Sequence, residues 1–317
     1  MNPLVSIIVP VYNKEPYISQ GLESLINQTY KNIEIICVNN NSTDDSLSVI
    51  KAWEQKYPQV IKVIEERKQG APCARNAGTN IAKGEWLQYF DVDDFLYPNK
   101  IEHQIHLIQK SDKSIDIVFE GWEIVMVSGE KRKHVAMDDA WMGVFNGRMG
   151  NTNSVLIKKQ KMLEVGGWNE SRKSSQEANL FFEILKTNPE YIRSENMGSI
   201  FQMRPNSIST STTGDNKNLN RIIDVRERML QYLMEHKTAY FKKNKDFFLG
   251  MFLERLRWLY KQDVELSSQL YSKYCKGNII KPIASMSARY MTFLRIFGFP
   301  LTEKIFLISA KLKKVTK

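Results

Sequence analysis

Residues 84–94 read GEWLQYFDVDD, and this stretch decides the architecture. Its apolar run is what a strand covered on both faces needs, and three carboxylates, Asp91, Asp93 and Asp94, follow where that strand should end. If the strand continued that far, period-two geometry would turn Asp91 and Asp93 to the same side. In an open α/β sheet, ligands bind outside the carboxyl ends of the strands. Carboxylates packed this closely repel one another unless a cation or a hydroxyl-rich ligand meets them, and hard oxygen donors suit Mg2+ or Mn2+. The plainer alternative is an acidic helix cap ahead of Pro98.

The same rhythm extends on both sides. LVSIIVPV, residues 4–11, is β-branched and nearly unbroken, and Ile33–Val38 is a second such run. Between them Ile18, Leu22, Leu25 and Ile26 share a face, which predicts a helix over Tyr17–Gln28. A helix capped by Ser42 or Asp44 and ending near Gln55, a short strand over Val60–Ile64 and a helix over Ala71–Ile81 lead back to the quoted stretch. Alternation at this spacing predicts βαβ units and a mostly parallel sheet. Further on, the pattern predicts a helix over Asn99–Gln109, a strand at Asp116–Phe119 and an edge hairpin of Ile124–Val127 with Lys133–Ala136. A strand over 151–157, helices over Lys159–Val165 and Ala178–Lys186, a strand over Ser199–Met203 and a loop over Ser207–Gly214 follow. From Asn218 onward the chain changes to long helices dense in Arg, Lys, Leu, Met and aromatics.

The 317 residues are 42% apolar and 25% charged, as in a folded protein of one or two domains. Cys37, Cys73 and Cys275 are scattered and odd in number, which predicts neither a disulfide framework nor a metal cluster and favours a reducing compartment. The first residues lack a basic leader and a small-residue cleavage site, so no signal peptide is expected. Of the formal charge of +10, +8 falls in residues 276–317, where nine Lys/Arg face one acid, Glu303. No zinc-finger spacing, GXXG loop or aromatic RNA-binding motif accompanies that charge, so nucleic acid is not an expected partner. The absence of GxxxxGK[ST] and GxGxxG patterns sets aside P-loop nucleotidases and dinucleotide folds. A carboxylate-held divalent ion usually bridges to phosphates. Such a site without a P-loop points to transfer from an activated sugar.

Six segments then carry a resemblance by their order: SIIVPVYN at 6–13, VNNNSTDD at 38–45, GAPCARNAG at 70–78, GEWLQYFDVDD at 84–94, GGWNES at 166–171 and FQMRPNSIS at 201–209. Together they resemble the family 2 glycosyltransferases of bacterial surface-polysaccharide synthesis (capsule, O-antigen or lipopolysaccharide), over about residues 4–210. The resemblance implies an α/β, GT-A nucleotide-diphospho-sugar transferase fold, with a mostly parallel central sheet followed by a helical C-terminal region. It implies a catalytic domain over 1–215, with a nucleotide-binding half near 1–98 and an acceptor half near 99–215, and a basic helical extension over 216–317. The implied activity is inverting, metal-dependent transfer from a nucleotide-diphosphate donor, a UDP-sugar, to a hydroxyl of a glycan or lipid-linked saccharide. A sugar-nucleotide-binding protein without catalysis is the alternative, because Asn39–Asn41 and Gln176-Glu177 depart from the family's usual acids.

By that resemblance Pro10 and Tyr12 line the nucleotide base or ribose. The 38–45 turn resembles the family's Asp-Asp-Gly-Ser-x-Asp turn, in which an acid accepts from the uracil N–H. Here Asn40, and after it Asn39, would accept that bond without charge, and Asn41 implies a left-handed backbone where Gly is usual. Arg75 matches the arginine that approaches the nucleotide. Asp91 would approach the ribose or sugar and Asp93 the Mn2+ or Mg2+ ion and diphosphate, with Asp94 as a second metal ligand. Glu177 falls on the catalytic base and Gln176 on the acid before it. Glu170 is the nearest rival, and a helix N-terminal Glu favoured by the dipole is the bland alternative. Trp168 would stack on an acceptor sugar or pack in the core, and Asn151 would border the acceptor pocket. Arg204, with Ser207 and Ser209, matches a late segment that closes over donor phosphates.

Residues 286–317 interleave aromatic and aliphatic side chains with basic ones but hold no run of 18 apolar residues. That predicts an interfacial helix on anionic lipid rather than a membrane span. Packing against the catalytic domain, or a homodimer surface, is the alternative. The matching location is the cytoplasm, peripheral at the inner face of the cytoplasmic membrane.

Overall fold

The computed structural model describes residues 2–204, 216–283 and 286–315, with side chains from 219 in the second stretch and up to 309 in the third. The loop expected over Ser207–Gly214, with Ser207 and Ser209, lies outside the described residues. The chain forms two compact units, Met1–Thr213 and Gly214–Lys317.

The first unit opens with β1 (Val5–Val11), α1 (Glu15–Ile26), β2 (Ile33–Asn39), α2 (Ser46–Lys56), β3 (Ile61–Glu65), α3 (Ala71–Ile81) and β4 (Trp86–Tyr89). These strands are parallel, in the order β3-β2-β1-β4. The unbroken β-branched run of β1 follows from helices on both its faces. Val5, Ile7, Val9 and Val11 share a core with Ile18, Leu22 and Leu25 of α1. On the other face Gly78 of α3 comes so close that a Cβ there would stand 2.5 Å from the Ile8 side chain. The chain travels outward from β1 to β3 and then returns to the opposite side of β1 as β4. That reversal is a topological switch point, where open α/β sheets place their ligands.

The rest of the sheet is mixed. β5 (Phe95–Leu96), α4 (Lys100–Lys110), β6 (Ile117–Val125), β7 (Lys131–His134), α5 (Ala140–Asn146), β8 (Val155–Lys158), α6 (Lys159–Glu164), α7 (Gln176–Lys186) and β9 (Tyr191–Gln202) complete the unit. β8 joins antiparallel between β4 and β6, β9 pairs parallel with β6, and β5 closes antiparallel on β9. β9 runs through twelve residues where the sequence pattern predicts only Ser199–Met203. Its first half, YIRSEN, lacks apolar alternation and is held by pairing with β6 across two register shifts. β8 begins at Val155 and not at 151, because Asn151 accepts from the Ser154 backbone N–H and closes a turn. α5 is absent from the sequence reading, although its caps were legible: Asp139 accepts from the Met142 N–H and Gly147 ends the helix at φ 71°.

The second unit is helical: α8 (Asn216–His236), α9 (Thr238–Tyr260), α10 (Val264–Tyr274) and α11 (Ala288–Val315). Phe248, Leu249, Phe252, Leu253 and Leu256 of α9 are buried within it. The helical path of α11 breaks at Gly298, whose φ is 72°. Among the described residues no helix is long and apolar enough to cross a membrane.

Candidate active site

The site is built where β1, β2 and β4 end together, with Val11 opposite Asn39 and Ile8 opposite Tyr89. Beyond β1, Asn13 turns with φ 49° and accepts from the Thr43 N–H, which ties the loop after β1 to the loop after β2. Pro10 lies opposite Val38 within that pairing, and Tyr12 stands exposed at the strand end. The three asparagines stitch the same corner. Asn41 is left-handed at φ 62°, as its place in the turn implies, and donates to the Arg67 carbonyl.

Asn40 and Asn39 do not take the form expected of a base contact. Asn40 is buried, donates to the Glu66 and Lys68 carbonyls and accepts from the Gly70 N–H. An aspartate there would set a carboxylate against two carbonyl oxygens, which gives the amide a structural reason. Asn39 is also buried, and its carbonyl oxygen is within reach of the Ser42 N–H at 3.3 Å. Both side chains are buried, and the Asn40 amide holds the 66–70 segment beside the strand ends.

β4 stops at Tyr89, so the carboxylates sit in a turn and not on a continuing strand. Gly21 of α1 lets that turn settle, since a Cβ there would stand 2.1 Å from the Val92 carbonyl oxygen. The three acids separate in role. Asp94 is buried, with one oxygen accepting from Asn153 Nδ2 at 2.6 Å and the other from the Gln202 N–H at 2.8 Å. Burial, and next the Asp91 charge, hold its carboxyl well above the usual range. Asp94, expected beside Asp93 as a metal ligand, is thus a clamp that fixes the turn to β9. Asp91 accepts from Arg75 at 2.8 Å, and its backbone N–H donates to Asn153. Desolvation raises the Asp91 pKa, Arg75 opposes that, and Asp93 and Glu177 add to it, although a third of the side chain stays exposed. Asp93 accepts from Lys14 at 2.5 Å, with Arg204 Nε at 3.4 Å from the same oxygen. Arg204 also lies over the Tyr17 ring at 3.8 Å.

Arg75 connects the two sides of the site. It is buried, donates to Gln176 at 2.8 Å and covers the Trp168 ring at 4.5 Å. Trp168 meets Tyr89 edge to face at 5.0 Å, and its backbone N–H and carbonyl are both held by Asn76. The indole is buried, so it supports Arg75 and offers no platform to an acceptor sugar. Glu177 opens α7 after Ser175, itself left-handed at φ 54°, and one carboxylate oxygen accepts from Thr152 Oγ1 at 2.7 Å. It borders a cavity of about 340 Å³ together with Asn151, Trp122 and Phe181. Glu170 is engaged elsewhere, accepting from Asn76 at 2.9 Å and Lys68 at 2.5 Å, and those bonds lower its pKa.

Lys14, Thr152 and Asn153 are missing from the sequence reading. Lys14 follows the first strand end directly and could have been found by asking which cation faces DVDD. Thr152 and Asn153 come from a turn before β8, and nothing local in the sequence marks them. Among the described residues no group of three or more His, Cys, Asp or Glu gathers as a metal cage. The donor set still suits a hard cation: Mg2+ commonly uses one or two carboxylates plus substrate phosphates. One oxygen each of Asp91 and Asp93 carries no hydrogen bond among the described residues.

Residues 6–164 match the family described as glycosyl transferase family 2. An uncharacterized glycosyltransferase of Rickettsia typhi is 31% identical over 229 residues, 68% of each chain. One from Rickettsia felis is 33% identical over 196 residues, 59% of this chain and 32% of its own, so the chain spans about a third of that relative. The minor teichoic acid biosynthesis protein GgaB of Bacillus subtilis is 37% identical over 115 residues, 36% of this chain and 13% of its own. Among solved structures, S. aureus TarS 1–349 in complex with UDP-GlcNAc superposes with a TM-score of 0.58 at 16% identity, over 96% of this chain and 92% of that one. The mannosyltransferase PcManGT of Pyrobaculum calidifontis, in complex with GDP-Man and Mn2+, gives 0.56 at 14%, over 96% and 87%.

Proposed function

The chain belongs to glycosyl transferase family 2 and has the GT-A fold, and on that premise we propose that it is an inverting transferase using a UDP-sugar. The acceptor is a hydroxyl of a glycan or lipid-linked saccharide in bacterial surface-polysaccharide synthesis. One observation carries the reading. The strand ends bring Lys14, Arg75 and Arg204 around Asp91 and Asp93, and set Glu177 across from them at the rim of a cavity.

In this reading the nucleotide lies along the ends of β1 and β2, against Pro10 and the exposed Tyr12. Lys14, Arg75 and Arg204 offer their cations to the diphosphate, each already held in place by a carboxylate. Asp93, with Asp91, would hold a Mn2+ or Mg2+ ion, which when bound offsets the charge of the departing diphosphate. The acceptor hydroxyl oxygen attacks the anomeric carbon from the cavity side. As that C–O bond forms, the bond to the nucleoside diphosphate breaks and the hydroxyl proton passes to Glu177. Thr152 occupies one oxygen of Glu177 and leaves the other for that proton.

A panel of UDP- and GDP-sugars with Mn2+ tests the reading through release of nucleoside diphosphate. Nucleotide binding without hydrolysis or transfer across the panel would favour the non-catalytic binder. In the same protein Asp93→Asn should abolish the Mn2+-dependent gain in UDP affinity by calorimetry, a loss of at least about tenfold. An undiminished gain would remove Asp93 as the ligand.

The helical unit supports a peripheral site on an anionic bilayer. Glu303, the single acid of residues 276–317, is buried and bonded to Arg257 at 3.0 Å and Tyr290 at 2.6 Å. Among the described residues of that stretch Lys276, Lys281, Arg289, Arg295 and Lys304 are exposed, as are Ile296, Phe297, Leu301 and Ile308. Full-length protein should partition onto phosphatidylglycerol vesicles in a salt-sensitive way, at about 1 kcal/mol per cation near the surface. Ile296→Ser with Phe297→Ser should weaken it. Equal binding to neutral vesicles, or no effect of the double variant, would contradict the membrane assignment.

A further inference from the structure

The cavity beside Glu177 has a chemistry of its own. Its wall is Trp122, Ile124, Val144, Met149, Phe181 and Phe201, and its polar lining is limited to Asn151, Ser175 and Glu177. Asn151 uses its carbonyl oxygen on the Ser154 N–H, and Glu177 uses one oxygen on Thr152. No Lys or Arg lines it among the described residues. Arg148, adjacent in sequence, donates from Nε to the Val135 carbonyl. At about 340 Å³ the cavity is at the small end of the range for ligand sites, roughly 300–1,000 Å³.

We infer that the acceptor is a neutral, hydroxyl-poor sugar, a 6-deoxy or N-acetylated residue whose methyl group packs on the wall of Trp122, Val144, Phe181 and Phe201 while its nucleophilic hydroxyl meets Glu177. This rests on the transferase reading and adds the acceptor class to it. A sugar ring has apolar C–H faces, and a methyl or acetamido group extends them into such a wall. Extra hydroxyls there would lose water without gaining partners. A uronate or phosphate would meet the Glu177 charge with no cation in the lining to offset it.

Saturation-transfer NMR on the full chain loaded with UDP and Mn2+ tests this, using matched methyl glycosides: an N-acetylhexosaminide, a 6-deoxyhexoside and a glucuronide. The neutral pair should bind at least about tenfold more tightly than the glucuronide, with strongest saturation on the acetyl or C6 methyl protons. Ala178→Arg, on the cavity-lining face of α7, should narrow that ratio by bringing a cation beside Glu177, in a residue type that keeps the helix. Equal or tighter glucuronide binding, saturation spread evenly over the ring, or no binding of either neutral sugar would overturn the assignment. Donor turnover on the same sample separates the two levels. Turnover with a preference for the glucuronide removes the neutral-acceptor class and leaves the transferase standing, whereas a methyl-directed pattern without turnover does the reverse.

Discussion

Glu177→Gln is expected to lower turnover by about 10²- to 10⁴-fold, the usual contribution of a positioned general base, while UDP affinity stays within about threefold. The substitution keeps the shape of the side chain and its acceptor oxygen, so the Thr152 hydroxyl retains its partner. It removes the one atom that can take the acceptor proton. The proposed donor contacts fall on Lys14, Arg75, Asp91, Asp93 and Arg204, which Glu177 does not hydrogen-bond. Its charge does reach Asp91, so a small gain in donor affinity on neutralisation fits the same geometry. Steady-state kinetics with parallel calorimetry separate the effects. A fall confined to KM would assign Glu177 to binding, and near-normal turnover would exclude it as the base.

The second large effect concerns stability beneath the site. Lys100 and Glu120 are fully buried, each the other's opposite charge. Burial, opposed by the partner's charge, pushes the Lys100 pKa down and the Glu120 pKa up. The Lys100 ammonium donates to Gln88 Oε1, and Gln88 Nε2 reaches the Thr152 and Asn153 carbonyls at 3.3 and 3.1 Å. Those two residues carry the contacts to Glu177, Asp91 and Asp94. Glu120→Ala leaves a buried cation uncompensated and should cost about 3–5 kcal/mol. Lys100→Met with Glu120→Leu removes both charges and should cost far less, with activity reduced through the loosened 152–153 turn. Urea denaturation of the full chain reads both variants. A Glu120→Ala cost under about 1 kcal/mol, or a double variant as unstable as the single, would show that the pair does not support this turn.

The parallel half was legible because its signals are local. β-branched runs, a shared face on α1 and the GEWLQYFDVDD stretch each carry their structure within ten residues. The mixed half of the sheet depended on partners far along the chain. YIRSEN becomes strand because β6 pairs with it, and Thr152 and Asn153 join the site through Glu177 and Asp94. Within the site, residue type located the carboxylates but did not sort them. Asp93 and Asp94 are neighbours of identical chemistry, and only Asn153 and the Gln202 N–H make Asp94 a clamp. Residue type leaves Asn40 unsorted in a similar way, since an amide that accepts from a nucleobase and one that staples a loop look alike until the Glu66 and Lys68 carbonyls are in place.

In the proposed reaction Glu177 takes the proton of an acceptor hydroxyl attacking opposite the departing nucleoside diphosphate. Time-resolved proton NMR of the anomeric signal, with the wild-type chain, Mn2+, the donor it turns over and a neutral acceptor, addresses it most directly. The first-formed product should have inverted anomeric configuration and appear about 10²- to 10⁴-fold more slowly with Glu177→Gln. A product of retained configuration, or one formed at the same rate by both proteins, would contradict it.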